Sequence, residues 1–330
     1  MNVRAAGPTH TTAFILMVLT CSRGVVSMTG AAQQGAQPSA GSAAAASGIP
    51  HSERVRGQAL YDANKLSEAE QAFAAAMQQD PHDDEAVQMR GLALFRMGRP
   101  ADAIPLLEQA HGQGLQRKAD PSYVLALCYI DTRRYDDARH AFAAQYGFAP
   151  DSAAAYLLAG RMLLRREYLP VAERFAQRAV QLDPHLPLAH ELLGEIDLAA
   201  NRLDEAAANF RLELKDNPID PASYERLGDL LSRQGKFAES RQALQRAVLL
   251  EPNATGPYIL LGRTTLREGD AAAALTYLQR AERMDPANAM THNLLAQAYR
   301  TLNRPADATR ELGTVEKLHA ADAPKLSTVQ

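Results

Sequence analysis

The chain has 330 residues, 46% of them hydrophobic and 22% charged, and contains no tryptophan. Its 35 basic and 38 acidic side chains leave a formal net charge of -3, so the molecule as a whole has no attraction for the phosphates of nucleic acid. Two cysteines, Cys21 and Cys128, and no CxxC spacing exclude a disulfide framework and a cysteine zinc site.

Taken from the N-terminus, residues 1–12 carry one arginine and no acid, and Ala13-Phe14-Ile15-Leu16-Met17-Val18-Leu19 form a short apolar core. A bilayer-spanning helix needs about 20 apolar residues, so this run fits a secretory signal over residues 1–32. It predicts an exported protein, periplasmic or associated with the cell envelope. Cleavage near Ala32 is one reading. Val18-Leu19-Thr20-Cys21 also resembles a lipoprotein signal with an acylated cysteine, although Thr20 stands where Gly or Ala is usual. An uncleaved tail is the third. Residues 33–49 read as a disordered linker: up to Gly48 they are Ala, Gln, Gly, Ser and a single Pro, with too little apolar surface to order the chain.

Beyond it the sequence repeats. Pro150, Pro184, Pro218, Pro252 and Pro286 are spaced by 34 residues. In phase with them run Leu193-Gly194, Leu227-Gly228 and Leu261-Gly262, each preceded by a ring: His190, Tyr224, Tyr258. Eight copies fit residues 50–322: 50–83, 84–118, 119–152, 153–186, 187–220, 221–254, 255–288 and 289–322. Only the second is longer, by one residue, and Gly112 and Gly114 mark its place near that repeat's end. Self-similarity at this period signals stacked supersecondary units that cannot bury an apolar face alone.

The columns have physical jobs. A small first-helix residue (Gly57, Gly91, Ala126, Gly160, Gly194, Gly228, Gly262, Ala296) permits close helix approach. Short turns such as Arg233-Gln234-Gly235-Lys236 use glycine for a conformation other residues avoid. On the second helix Ala69, Ala103, Ala138, Ala172, Ala206, Ser240, Ala274 and Ala308 face the first. Four residues further come Phe73, Leu107, Phe142, Ala176, Phe210, Leu244, Leu278 and Leu312.

This pattern of ring, Leu-Gly, Ala, aromatic and Pro resembles the tetratricopeptide repeat. The resemblance implies an all-α, right-handed α-solenoid of about eight helix-turn-helix repeats sharing one continuous apolar seam. Residues 323–330 follow as a tail, and Leu312, Val315 and Leu318 near the end lack a further helix to cover them. Self-association, docking of a partner, or fraying are all open there.

No HExxH, GxSxG, P-loop or strand-linked GxGxxG occurs, and no cofactor or metal is expected. His190 and His292 occupy the ring column and read as core; Cys128 reads as a buried hydrophobe. Acidic pairs such as Asp83-Asp84 and Asp136-Asp137 read as helix-terminal charges.

In the family that the chain resembles, the first helix of each pair lines a concave groove. By phase, that implies an apolar zone of Leu92, Phe95, Tyr123, Leu127, Ile130, Leu157 and Leu164 with Arg161, then an acidic zone of Glu191, Glu195, Glu225 and Asp229, followed by Arg263. Large exposed apolar groups mark binding surfaces, unless the superhelix itself or the N-terminal tether fills the apolar zone, and clustered carboxylates favour a basic partner. The expected function is therefore a non-catalytic protein–protein interaction scaffold or assembly factor, binding a peptide or protein with an amphipathic, basic-ended segment. The alternative is the regulatory or targeting subunit of an enzyme whose catalytic chain is separate.

Overall fold

The computed structural model describes residues 49–112 and 121–322. The signal, the linker to Gly48, Cys21, Gly114 and the 323–330 tail lie outside them. Among the described residues there are sixteen α-helices and no strand. In chain order they are α1 (Ile49–Asp62), α2 (Leu66–Gln79), α3 (Asp84–Arg96), α4 (Pro100–Gly112), α5 (Ser122–Asp131), α6 (Tyr135–Tyr146), α7 (Ala153–Arg165) and α8 (Leu169–Leu182). They continue as α9 (Ala189–Ala199), α10 (Leu203–Asp216), α11 (Pro221–Arg233), α12 (Phe237–Leu250), α13 (Thr255–Glu268), α14 (Ala271–Met284), α15 (Ala289–Thr301) and α16 (Pro305–Asp322). None is long and apolar enough to cross a membrane.

The chain divides into two compact units, Met1–Leu186 and Pro187–Gln330, with α1 to α8 in the first and α9 to α16 in the second. The first helices are capped in more than one way. Asp83, Ser152, Asp220 and Asn288 each cap a first helix by accepting the N–H of Ala86, Ala155, Ser223 and Thr291. In the fifth repeat that phase holds Leu186, which has no side-chain acceptor. Pro187 follows, and Leu188 is forced to a left-handed φ of 70°. The cap comes instead from α10: Glu213 accepts the N–H of Leu188 (2.7 Å) and of Glu191 (3.3 Å). Burial holds its carboxyl above the usual range, opposed by the Leu188 N–H and the Asn217 side chain.

Within each unit, first and second helices of a repeat pack together and the second packs on the next first helix. One residue of every intra-repeat turn is left-handed: Asn64, Gly98, Arg133, Glu167, Asn201, Gly235, Gly269 and Asn303. Gly235 and Gly269 thus do what the sequence requires of them, with φ of 76° and 94°. The phase slips by one residue between Gly98 and Arg133, which places the insertion of the longer repeat in that interval.

The small and large columns of the second helices form the core. Phe73, Leu107, Phe142, Phe210, Leu244 and Leu278 are fully buried, as are the alanines, or Ser240 before Leu244, one turn before them. Gly57, Gly91, Gly194, Gly228 and Gly262 each meet the large residue sixteen positions on. A Cβ at Gly57 or Gly194 would lie 2.7 or 2.8 Å from the ring of Phe73 or Phe210; at Gly228 and Gly262 it would lie 2.5 and 2.4 Å from Leu244 and Leu278. The last helix, α16, runs 18 residues. Along it Val315 is buried and Leu312 packs against the core formed with Leu278, Leu295 and Tyr299, so the expected bare apolar end is largely covered.

Of the acidic pairs, Asp83 is a cap, whereas Asp136 and Asp137 pair with Arg139 and Arg134. Cys128 is buried; burial and then Asp131 push its thiol up to about 12, which keeps it protonated and inert.

Candidate protein-interaction site

The predicted site residues all lie on first helices: α3, α5 and α7 in the first unit, α9, α11 and α13 in the second. In the first unit, Leu92, Phe95, Tyr123, Leu127 and Leu164 are half-buried and reach the surface. Ile130 and Leu157 do not; both are wholly buried, and Arg161 is buried as well. The reason is that neighbouring first helices touch, which seals the sides they turn to each other. Tyr123 shows this directly. Its hydroxyl lies 3.9 Å from Met162 Sδ on α7 and its ring packs edge-on against Phe142 of α6. Part of the expected apolar binding zone is therefore the packing between repeats.

The acidic zone is also changed. Glu191 is 2% exposed, beneath the surface that a partner would touch. Glu195 is half-buried with Arg226 at 4.0 Å. Asp229 binds Arg233 on its own helix at 2.6 Å and Arg263 of α13. Arg263 is thus engaged within the chain instead of facing a ligand. Arginines of this unit thus pair with two of the four carboxylates, Glu195 and Asp229. Asp220, buried near Glu191, is raised in pKa by burial first and by that neighbour second.

What the fold does assemble is a cleft of about 250 Å³ between α11, α13 and α15. Glu225, Arg226 and Asp229 line one wall, Gly256, Ile259, Leu260 and Arg263 another, and Met290 the third. The Glu225 carboxylate lies so close to α13 that a Cβ at Gly256 would be 2.6 Å from its Oε1. Met290 is 56% exposed at the rim of this cleft. Sequence reasoning missed Gly256, Leu260 and Met290. The phase of Gly256 and Met290 offered little signal: in successive repeats it holds Ala154, Leu188, Ala222, Gly256 and Met290, so a large apolar residue there does not by itself mark a surface.

Larger clefts exist without this character. One of about 530 Å³ lies between second helices α10 and α12 over Tyr224, Leu227 and Leu231. Clefts at the same phase recur at Tyr156 to Gln181 and at Leu125 to Ala144. Their recurrence marks them as the space that stacked hairpins leave between second helices, so size does not single them out.

Helical hairpins of one length, most of them closed by a glycine-to-leucine or glycine-to-phenylalanine contact between their two helices, define an α-helical repeat protein. Models described as tetratricopeptide repeat match residues 123–187, 191–257 and 265–330, and the model for anaphase-promoting complex, cyclosome, subunit 3 matches 62–145. The chain belongs to the tetratricopeptide repeat family. No curated protein matches it. Among solved structures it is similar to MamA 41-end from Desulfovibrio magneticus RS-1, at 20% identity and TM-score 0.50 over 52% of this chain and 98% of that one. It is also similar to the APC/C hetero-tetramer Cut9-Hcn1, at 16% identity and TM-score 0.50 over 78% of this chain and 51% of that one. At such identities the likeness is one of fold.

Proposed function

We propose that this chain is a non-catalytic protein-binding scaffold, exported to the cell envelope, that holds a segment of a partner protein on its first-helix faces. The observation carrying this is Met290: an exposed methionine at the rim of a cleft formed by three successive first helices. Methionine is flexible and polarisable, and it suits a surface that must fit an incoming apolar side chain. Ile259 and Leu260 supply apolar wall, while Glu225 and Arg226 flank it with both charges. That favours a partner segment with one apolar anchor between polar residues, rather than the basic-ended segment that the sequence suggests. The envelope setting rests on the N-terminal residues, whose short apolar run fits a signal.

The test compares proteins cross-linked to the full chain in membrane and soluble fractions with those held by Met290→Asp and Leu260→Asp. Met290 is exposed, so its replacement should leave the melting temperature near that of the wild type. At least one partner captured by the wild type should be lost from both variants. Retention of every partner by both would overturn the proposal.

A further inference from the structure

A cluster of metal-ligating groups lies away from the cleft, where the last two repeats meet. Glu282 near the end of α14, His292 on α15 and Glu311 on α16 each bring one ligand atom within 4.8 Å of the others. His292 and Glu311 are 4% and 5% exposed, and Glu282 is half-buried. The imidazole is held from both sides. Its Nε2 lies 2.9 Å from the Pro286 backbone carbonyl, which can only accept, and its Nδ1 lies 2.8 Å from Glu311 Oε2. The other Glu311 oxygen, Oε1, accepts from Arg310 at 3.2 Å.

The carbonyl contact fixes the Nε2–H, so Nδ1 is the atom aimed at the carboxylates. Ligating histidines are oriented in this way, with the second ring nitrogen donating to a backbone carbonyl or carboxylate. The fifth repeat provides a contrast. His190 occupies the same phase as His292, but its Nδ1 faces the Asn209 side-chain oxygen at 3.1 Å, at the phase of Glu311. A histidine in this column is therefore satisfied by a neutral amide, and two convergent carboxylates exceed what packing the ring requires.

We propose that Glu282, His292 and Glu311 form a site for a divalent transition metal, zinc by preference, that staples α14, α15 and α16 together. One imidazole nitrogen and two carboxylate oxygens suit zinc, with water completing a tetrahedron on the half-exposed Glu282 side. Calcium, which takes six to eight oxygens, is poorly served. On binding, Nδ1 gives up its proton to solvent and donates its lone pair to the metal, and the carboxylates bind as anions. The metal then takes over the role of the ring proton.

The experiment uses the full chain, stripped by chelator dialysis and titrated with Co²⁺ while visible absorption is recorded, then with competing Zn²⁺. The expected result is one equivalent per chain, the intense bands of four-coordinate cobalt, displacement by zinc, and a higher melting temperature with Zn²⁺. Glu282→Gln should weaken binding at least tenfold with little change in the metal-free melting temperature, which separates ligation from folding. His292→Gln should abolish it. The inference fails if no four-coordinate bands develop, if zinc leaves the melting temperature unchanged, or if Glu282→Gln binds as the wild type does, since binding would then be adventitious at surface side chains.

Discussion

Gly262→Ala adds one methyl group where the core has no room. The new Cβ would lie 2.4 Å from Leu278 Cγ and 2.5 Å from its Cδ2. Ordinary contact begins near 3.4 Å, so Leu278 must retreat by about 1 Å, a scale at which close-packed interiors resist change. It is fully buried among Ala274, Leu295, Ala296, Tyr299 and Ala308. Replacing a mid-helix glycine by alanine gains about 1 kcal/mol in propensity, whereas overpacking costs about 1–3 kcal/mol. The net is a loss of roughly 0–2 kcal/mol. In a Leu278→Ala background the obstruction is gone, and the same substitution should stabilise by about 1 kcal/mol. The coupling between the two sites is therefore about 1–3 kcal/mol. Repeat arrays depart from two-state unfolding, so native-state hydrogen exchange of α13 and α14 amides is the right readout. Gly313→Ala is the control: nothing lies within 4 Å of its Cβ, and it should stabilise α16 by about 1 kcal/mol. Equal effects of Gly262→Ala in both backgrounds, or a gain matching that of Gly313→Ala, would refute the close-contact account.

Two further outcomes follow from particular residues. Arg133 and Glu167 hold the left-handed turn position that glycine or asparagine fills in the other repeats. Glu167→Gly and Arg133→Asn should therefore raise stability, by up to about 1 kcal/mol; an unchanged or lower denaturation midpoint would contradict this. Glu213 and Asp220 bind their protons more tightly when folded than when unfolded. Their contribution is thus most favourable below the unfolded carboxylate range, about pH 4, and is lost as pH rises through the raised folded values. Glu213→Gln keeps one cap acceptor and should remove its share of that fall, so pH-stability curves that superimpose on the wild type would count against the buried cap.

The limits of sequence reading can be seen residue by residue. The prolines, the glycine and alanine columns and the large residue sixteen positions on are each demanded by local sterics, so their phase yields the hairpin and its internal contact correctly. Ile130 and Leu157 went wrong for a reason the phase does not contain. Whether a first-helix residue faces solvent or the next first helix depends on how adjacent hairpins rotate, and large apolar residues suit either place. Asp229 and Arg263 are 34 residues apart and occupy the same face in consecutive repeats, so their pairing was in principle legible. Reading each repeat as an isolated source of ligands hid it.

By itself, then, the sequence determined the helical hairpin, its length and its count, because a 34-residue period with a missing side chain opposite a large one admits few other solutions. Only the tertiary structure decided which charges meet. It paired Glu195 and Asp229 with arginines, took the cap of α9 from Glu213, and brought Glu282, His292 and Glu311 from three helices to one point. Helical periodicity fixes the face a residue occupies. The partner on that face is set by the packing of the neighbouring helix, whose rotation and approach sum many small contacts that no single column records.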